Sequence, residues 1–442
     1  MLRHGRKHEE AAVQDACFRS ASTIVARTAV KMIRRGGLSA DGHVSMREFK
    51  GRCAGMVTEQ QHPPRIVLAV TAPISLKLMT GFPEYLAAEG WDVHVVTSDQ
   101  TQCRYPRGVT LHNVAMVREP SPWRDVRALV GWLWLLARLR PDIVVAGTPK
   151  AGLLGMAAAW CVRIPARVYL VRGLRLETEQ GVRRRILHVL EGLSARFATV
   201  VQCVSRSLRD EFISLGLAAA SKVVVLGAGS SNGVEVFHEG DLEPVSRARL
   251  GLDDDVPVVG YVGRMTRDKG LATLTESVRI LHDSRTAIQV LLVGPEEPRG
   301  ALDRALKSAG LPASSVHWVG SVPDARPYLG AMDVLCLPTR REGFPNVVLE
   351  AAVQGVPAVV SDVTGARDAV IDGRTGLICA PDDSRDMAVA LNRLLGDPAG
   401  LQAMGQRAKE HAVKNYDREV VWELNRAFFE AHVPTRGEKV KQ

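Results

Sequence analysis

Arg264 and Lys269 lie in the stretch GRMTRDKG (263 to 270), directly after the apolar run VVGYV and directly before a helix-like segment. Two cations at the mouth of a helix, where free amides and the helix dipole also favour negative charge, suit a diphosphate. A loop carrying solvated cations accounts for the same residues equally well. Further on, REGFPNVVLE (341 to 350) places Glu342 ahead of a Gly343-Phe344-Pro345 turn and Glu350 eight residues later. Pro345 stands where a helix can begin, so the spacing predicts a helix from Asn346 with Glu350 on its first turns and Glu342 on the preceding loop. A loop carboxylate can accept hydrogen bonds from sugar hydroxyls, and a helix carboxylate can clamp a ribose diol. Either glutamate taken alone reads as an ordinary surface carboxylate; the pair around the Gly-Phe-Pro turn is the specific signal.

The elements that must position these groups alternate. RIVLAVTA (65 to 72), a helix-like FPEYLAAEG and WDVHVVTSD open a strand, helix, strand series. It continues through VTLHNV, a helix around 124 to 139, PDIVVAGT, a helix over 150 to 162, ARVYLVRG, a helix over 180 to 196, TVVQCVS and VVVLGAG (223 to 229). After the polar stretch HEGDLEPVSRARLGL a second series begins with VPVVGYVGR. It runs through IQVLLVGP, a helix over 301 to 309, VHWVG, VLCLPT, PAVVSD and TGLICA. Unbroken Val/Ile/Leu strands alternating with helices predict parallel sheets covered on both faces. The fold class is therefore α/β, with two doubly wound parallel-sheet domains of Rossmann type. The expected organisation is a basic, disordered extension over 1–63, a first domain over 64–235 and a second over 236–416. A helix over 417–434 and a tail over 435–442 follow. In open sheets of this kind ligands bind beyond the carboxyl ends of strands, which is where both charged clusters stand.

Composition narrows the function classes. With 46% hydrophobic and 24% charged residues the chain can bury sizeable cores, which excludes disorder throughout. The net charge is +9, of which +5 belongs to residues 1–63; a charge so diffuse over the rest does not mark a nucleic-acid binder. Seven cysteines, at 17, 53, 103, 161, 203, 336 and 379, form no CxxC pair and no cluster with histidine, which points to a reducing compartment and away from structural zinc. No apolar stretch reaches the ~18 residues that span a bilayer. Arg27, Lys31, Arg34 and Arg35 interrupt the one candidate signal segment. The expected location is the cytoplasm, with peripheral attachment to the inner membrane face. Residues 20–35 read either as a basic amphipathic helix on a membrane surface or as part of a solvated tail, and Met46 or Met56 is an alternative start.

GRMTRDKG followed by EGFPNVVLE resembles the retaining, nucleotide-sugar-dependent glycosyltransferases of the GT-B fold, specifically family 4, over about residues 65 to 430. The resemblance implies that the two domains face a cleft and that Arg264 and Lys269, with the Gly263 backbone, contact the donor diphosphate. It implies that Glu342 touches the donor sugar and Glu350 the ribose, while the chain at Gly343, Phe344, Pro345 and Asn346 helps seat sugar and diphosphate. Arg264, Lys269 and Glu342 are then the catalytic candidates, and the last helix crosses back onto the first domain. The mechanism implied needs no protein nucleophile, cofactor or metal: the acceptor hydroxyl attacks on the leaving-group face, and the departing phosphate takes its proton. The chain carries no Asp-rich divalent-metal motif, and the two cations would supply the electrostatic stabilisation. A departure is the loop Ala146-Gly147-Thr148-Pro149, where many members of the family carry histidine; Thr148 or Lys150 is expected to line that spot.

TPKAGLLG (148 to 155), VRGLRLET (171 to 178) and GAGSSNGVE (227 to 235) resemble the subgroup acting on lipid-linked oligosaccharides and capsular or other envelope polysaccharides. The acceptor-side candidates are Gly81, Thr148, Lys150, Arg172 and Arg175, positioned to receive an anionic acceptor such as a polyprenyl diphosphate sugar. Gly81 reads either as a close-approach glycine or as a turn residue. Arg183, Arg184 and Arg185 fit a binding role or a solvated helix face. Trp132 and Trp134 fit a core helix or a membrane interface, and His317 with Trp318 fit a nucleobase border or buried core. The expected reaction is transfer of a hexose-type sugar, with UDP the expected nucleotide and no nucleic acid as partner. A nucleotide-sugar 2-epimerase or a non-catalytic nucleotide-sugar sensor on the same fold are the alternatives. A dinucleotide oxidoreductase fits less well, because GAGSSNG lacks GxGxxG spacing.

Overall fold

The computed structural model describes residues 63–99, 108–117, 121–237, 242–284 and 287–433. The expectations for the 1–63 extension, the 20–35 helix and the 435–442 tail lie outside the described residues. Two parallel sheets organise the rest. The first contains β1 (Arg65–Ala69), β2 (Asp92–Thr97), β3 (Val109–Asn113), β4 (Ile143–Ala146), β5 (Ala166–Val171), β6 (Val200–Cys203) and β7 (Val223–Val224), in the spatial order β3-β2-β1-β4-β5-β6-β7. The second contains β8 (Val258–Val262), β9 (Gln289–Val293), β10 (Val316–Gly320), β11 (Val334–Leu337), β12 (Ala358–Ser361) and β13 (Gly376–Cys379), in the order β10-β9-β8-β11-β12-β13. The central strands are apolar on both faces: Ile66, Val67, Val144, Val168 and Val201 are fully buried in the first sheet, as are Val259, Leu291, Leu335 and Val359 in the second.

Among the described residues, the α-helices of seven residues or more are α1 (Phe82–Ala88), α2 (Pro122–Leu139), α3 (Pro149–Cys161), α4 (Gly181–Phe197), α5 (Arg206–Ser214), α6 (Leu271–Asp283), α7 (Ala301–Ala309), α8 (Asn346–Val353), α9 (Ser384–Leu395), α10 (Pro398–Tyr416) and α11 (Arg418–His432). Each sheet reverses strand order once. The reversal lies between β1 and β4 in one sheet and between β8 and β11 in the other, which opens a crevice beyond the carboxyl ends of those strands.

The chain passes between the sheets twice, and the two passages lie side by side. Val234 N donates to Tyr416 O at 2.8 Å and Arg418 N donates to Val234 O at 2.9 Å, a parallel bridge centred on Asp417. Gly233 has φ +66°, and a Cβ there would stand 2.8 Å from Tyr416 O, so only glycine lets the strands meet. Beyond Asp417, α11 packs on the first sheet's layer. Phe429 is buried beside Phe82 and Trp91, Tyr85 Oη donates to Glu423 (2.8 Å), and Gln202 donates to Asn425 (2.9 Å).

α2 separates two tryptophans that a single stripe would have joined. Trp132 is 0% exposed with Leu135 and Leu136 in the core, whereas Trp134 is 65% exposed. Two residues turn a helix by about 200°, so they occupy opposite faces.

Candidate functional site

On the second sheet, β8 is followed by Gly263, whose φ of +152° redirects the chain while its N–H donates to Val293 O (2.9 Å). Tyr261 Oη donates to Arg264 O (2.8 Å), and the Arg264 side chain extends into solvent to pair with Glu297 at 3.0 Å. A 3-10 turn, Arg267–Lys269, then reaches Gly270, the αL residue that starts α6. A Cβ on Gly270 would overlap the Pro338 carbonyl, so glycine allows the end of β11 to lie against the start of α6. This closeness brings Lys269 Nζ into direct contact with Glu342 Oε1; the two side chains are 20% and 16% exposed. Asp268, beside them, pairs with Arg341 (3.6 Å). Burial pushes its carboxyl up, but the Thr266 hydroxyl and the charges of Lys269 and Arg341 outweigh this and hold it below the ordinary range.

α8 begins at Asn346 with Pro345 as its cap, as the spacing predicts. Phe344 turns inward, its ring 5.3 Å from that of Tyr416, so its backbone and not its ring faces the loop's polar side. Gly343 is wedged between domains: a Cβ would overlap Arg172 O, and its own carbonyl accepts from Ser205 Oγ (2.9 Å). Glu350 stands with Arg326, Arg418 and Asp324 rather than on the cleft lining; burial raises its carboxyl, and the two arginines oppose that rise.

On the first sheet, Thr148 Oγ1 accepts from Thr71 N (2.9 Å) and meets the Thr71 hydroxyl at 2.7 Å, bracing the β1 and β4 ends. Arg172 leaves β5 and folds its guanidinium over Gly147, donating from Nη1 to Gly147 O (3.2 Å). Burial lowers its pKa to about 10. Tyr169, behind it, donates to Glu191 Oε2 (2.5 Å), a buried carboxyl that burial pushes up to about 7.

Together these groups enclose a cleft of about 240 Å³ lined by Thr148, Arg172 and Arg175 from one sheet and Arg264, Lys269 and Glu342 from the other. Sequence reasoning missed Arg341 and Asp268, which share the lining; their adjacency to Glu342 and Lys269 was the available signal. Two acceptor-side expectations are corrected. Lys150 does not line the cleft: from the first turn of α3 its Nζ pairs with Asp125 of α2 at 2.7 Å. Gly81 (φ +84°) is a close-approach glycine, but toward α11, since a Cβ there would lie 2.6 Å from the Trp422 ring. Trp318 Nε1 donates to Gly294 O (2.9 Å) near the Gly263 turn, while His317 faces Gly251 on another side. Among the described residues no group of three or more His, Cys, Asp or Glu side chains is arranged to hold a metal ion.

Two doubly wound sheets facing across a cation-lined cleft define a GT-B enzyme of nucleotide-sugar type. Residues 256–397 match the family described as glycosyl transferases group 1, and residues 81–229 match the glycosyl transferase 4-like domain. The capsular polysaccharide biosynthesis glycosyltransferase CapM of Staphylococcus aureus is 33% identical over 361 residues, covering 81% of this chain and 95% of that protein. The N,N'-diacetylbacillosaminyl-diphospho-undecaprenol alpha-1,3-N-acetylgalactosaminyltransferase of Campylobacter jejuni is 28% identical, over 65% of this chain and 76% of its own length. Among solved structures, Anabaena Alr3699/HepE in complex with UDP and glucose superposes with a TM-score of 0.66 at 19% identity, covering 83% of this chain and all of that one. The chain belongs to the family 4, group 1 glycosyltransferases, retaining enzymes that take a sugar from a nucleoside-diphosphate sugar.

Proposed function

We propose that this enzyme transfers a hexose-type sugar from a UDP-sugar to a lipid-linked or cell-envelope polysaccharide acceptor. The observation that carries this reading is the meeting of Lys269 and Glu342 across from Arg172 and Thr148 in one cleft. Lys269 and Arg264, beside the α6 N-terminus, hold the two phosphates with the Gly263 backbone. Glu342 holds the donor sugar, the backbone from Gly343 to Asn346 closes the seat, and the ribose reaches past the cleft lining to Glu350 beside Arg326. The acceptor enters from the Thr148, Arg172 and Arg175 side. Its hydroxyl oxygen bonds to the anomeric carbon as the bond from that carbon to the phosphate oxygen breaks, and the hydroxyl proton passes to the departing phosphate. Cations fixed where the leaving charge develops lower the barrier without reorganising. The residues present meet the charge of a diphosphate with arginine and lysine. UDP in the HepE complex, and the diphospho-undecaprenol named for the Campylobacter enzyme, support donor and acceptor respectively.

The first domain also has a surface suited to an anionic membrane, where such an acceptor resides. α2 exposes Trp123 (88%), Val126, Val130 and Trp134, and α4 exposes Val182, Ile186, Val189 and Leu193, all at helical spacing. α3 lies between them and exposes Trp160. Arg124, Arg127 and Arg138 flank the first stripe, and Arg183, Arg184 and Arg185 flank the second. Apolar stripes edged with arginine and tryptophan match a lipid interface bearing negative headgroups. No described helix is long and apolar enough to cross a membrane.

The test is nucleoside-diphosphate release from UDP-, GDP-, ADP- and dTDP-sugars, with and without a membrane extract as acceptor source. Release confined to UDP-sugars, stimulated by the lipid fraction, is expected. Release from another nucleotide class, or stimulation by the aqueous fraction alone, overturns the donor or acceptor assignment.

A further inference from the structure

Arg172 is a half-buried cation on the cleft wall without a counter-charge. Its Nη1 meets only the Gly147 carbonyl, its Nε finds no hydrogen-bond partner, and no carboxylate among the described residues pairs with it. The two carboxylates that share its cleft are already engaged, Glu342 by Lys269 and Asp268 by Thr266 and Arg341. A guanidinium stripped of part of its water and left like this is costly, yet the local chain is built to keep it there. Any Cβ at position 147 would overlap the guanidinium, so Gly147 is the seat that admits it. The Arg172 backbone itself abuts Gly343, which fixes the guanidinium relative to Glu342 on the opposite wall.

We infer that Arg172, seated on Gly147, is the receptor for a second anion that enters the cleft beside the donor diphosphate. This deepens the proposed function and rests on it: the diphosphate occupies Arg264 and Lys269, so the second anion belongs to the acceptor. Because donor and acceptor anions share so small a cleft, the attacking hydroxyl lies on the very sugar that bears the anionic group. The acceptor, whatever extends from it beyond the cleft, is thus charged at its reacting residue, and the preceding reaction class is the one that installs that anion. A phosphate ester on the sugar and a uronate carboxylate are the two sources of such a charge, and Arg172 can fork to either. The exposed Arg175 stands at the mouth of the same site.

The test uses the full chain. Calorimetry measures UDP alone, then glucose 1-phosphate, glucuronate or inorganic pyrophosphate added to the UDP-saturated enzyme, for wild type, Arg172→Met and Gly147→Ala. The expected result is a second anion bound by the wild type, weakened at least tenfold in both variants, with UDP affinity changed less than twofold. Preference for glucose 1-phosphate identifies the phosphate source, and preference for glucuronate the carboxylate. Thermal melting supplies an independent readout: ligand-free Arg172→Met melts above the wild type, because an unpaired buried charge is gone, while Gly147→Ala melts below it. A wild type that binds no second anion with UDP present overturns the inference, as does undiminished binding in Arg172→Met. A loss of UDP affinity in Arg172→Met equal to the loss of second-anion affinity also overturns it, placing the arginine on the donor. If the wild type does not bind UDP, the donor reading falls instead, and the anion titrations on the free enzyme still compare wild type with Arg172→Met.

Discussion

Glu342→Gln should improve nucleotide binding while it slows transfer. The substitution keeps the side chain's volume and removes the carboxylate that touches Lys269. With both groups mostly buried, solvent screens the pair only partly. A hydrogen bond to a charged group contributes about 1.5–3 kcal/mol net, and in the free enzyme this attraction holds Lys269 to Glu342. A diphosphate has to share or displace it. Removing the carboxylate releases part of that amount to the nucleotide, about 1.4 kcal/mol, so UDP should bind about tenfold more tightly. Transfer moves the other way: losing a charged contact to the donor sugar costs about 2–3 kcal/mol in the transition state and slows kcat about 30- to 160-fold. Calorimetric titration with UDP and a nucleotide-release assay measure the two effects separately. In a Lys269→Met background, itself expected to bind UDP at least tenfold more weakly, Glu342→Gln should leave UDP affinity unchanged. Weaker UDP binding by Glu342→Gln alone refutes the reasoning, because the carboxylate would then be a nucleotide ligand rather than a competitor.

The buried Glu191 makes a pH prediction. Its folded pKa, about 7, exceeds the ordinary 4.5, so the folded state holds this proton more tightly than the unfolded chain. Its contribution is fully present below pH 4.5 and is lost as the pH rises through 7, a loss of about 3 kcal/mol. Glu191→Gln, which can still accept from Tyr169, should therefore be the more stable protein at pH 8 and lose that advantage by pH 5; denaturant midpoints at both values check this. Gly270→Ala should destabilise by more than about 2 kcal/mol, since the αL conformation alone costs 1–2 and the new methyl overlaps Pro338 O; a midpoint shift under half that size contradicts the packing described. Trp123→Ser combined with Trp134→Ser should cut sedimentation with anionic vesicles severalfold and leave UDP affinity intact, and unchanged sedimentation would remove the membrane face from consideration.

Much of the architecture was legible because parallel strands buried on both faces must be unbroken apolar runs, as IVLA and QVLLV are. The α8 start at Asn346 followed from Pro345, and α7 occupies the residues its pattern marked. VVVLGAG promised more strand than exists, since β7 stops at Val224 and the positive φ of Gly227 and Gly229 turns the chain away. The chemistry of Lys269 and Glu342 could be read from residue type, but not their contact. They are 73 residues apart, and only the neighbouring of β8 and β11 brings them together. Lys150 shows the converse: its loop was located correctly, while the direction of its side chain depends on Asp125 of a helix whose placement the sequence does not state. Arg172 was legible as a cation beyond a strand end, but its isolation from carboxylates was not, because that is a property of everything packed around it.

The paired passages at Val234 and Asp417 bear on how this enzyme can move. The two passages are fastened to each other by a single bridge, so any rotation of one sheet against the other would have to bend both passages together at that point, which would then be its axis. On the other side of that axis the halves are clasped by Ser205 with Gly343 and by Ser207 with Asp368. The molecule thus resembles a book whose spine is two backbone hydrogen bonds wide and whose clasp is a pair of serines. A substrate too large for the closed cleft would have to part these serine contacts and, with them, the packing of Gly343 against the Arg172 backbone.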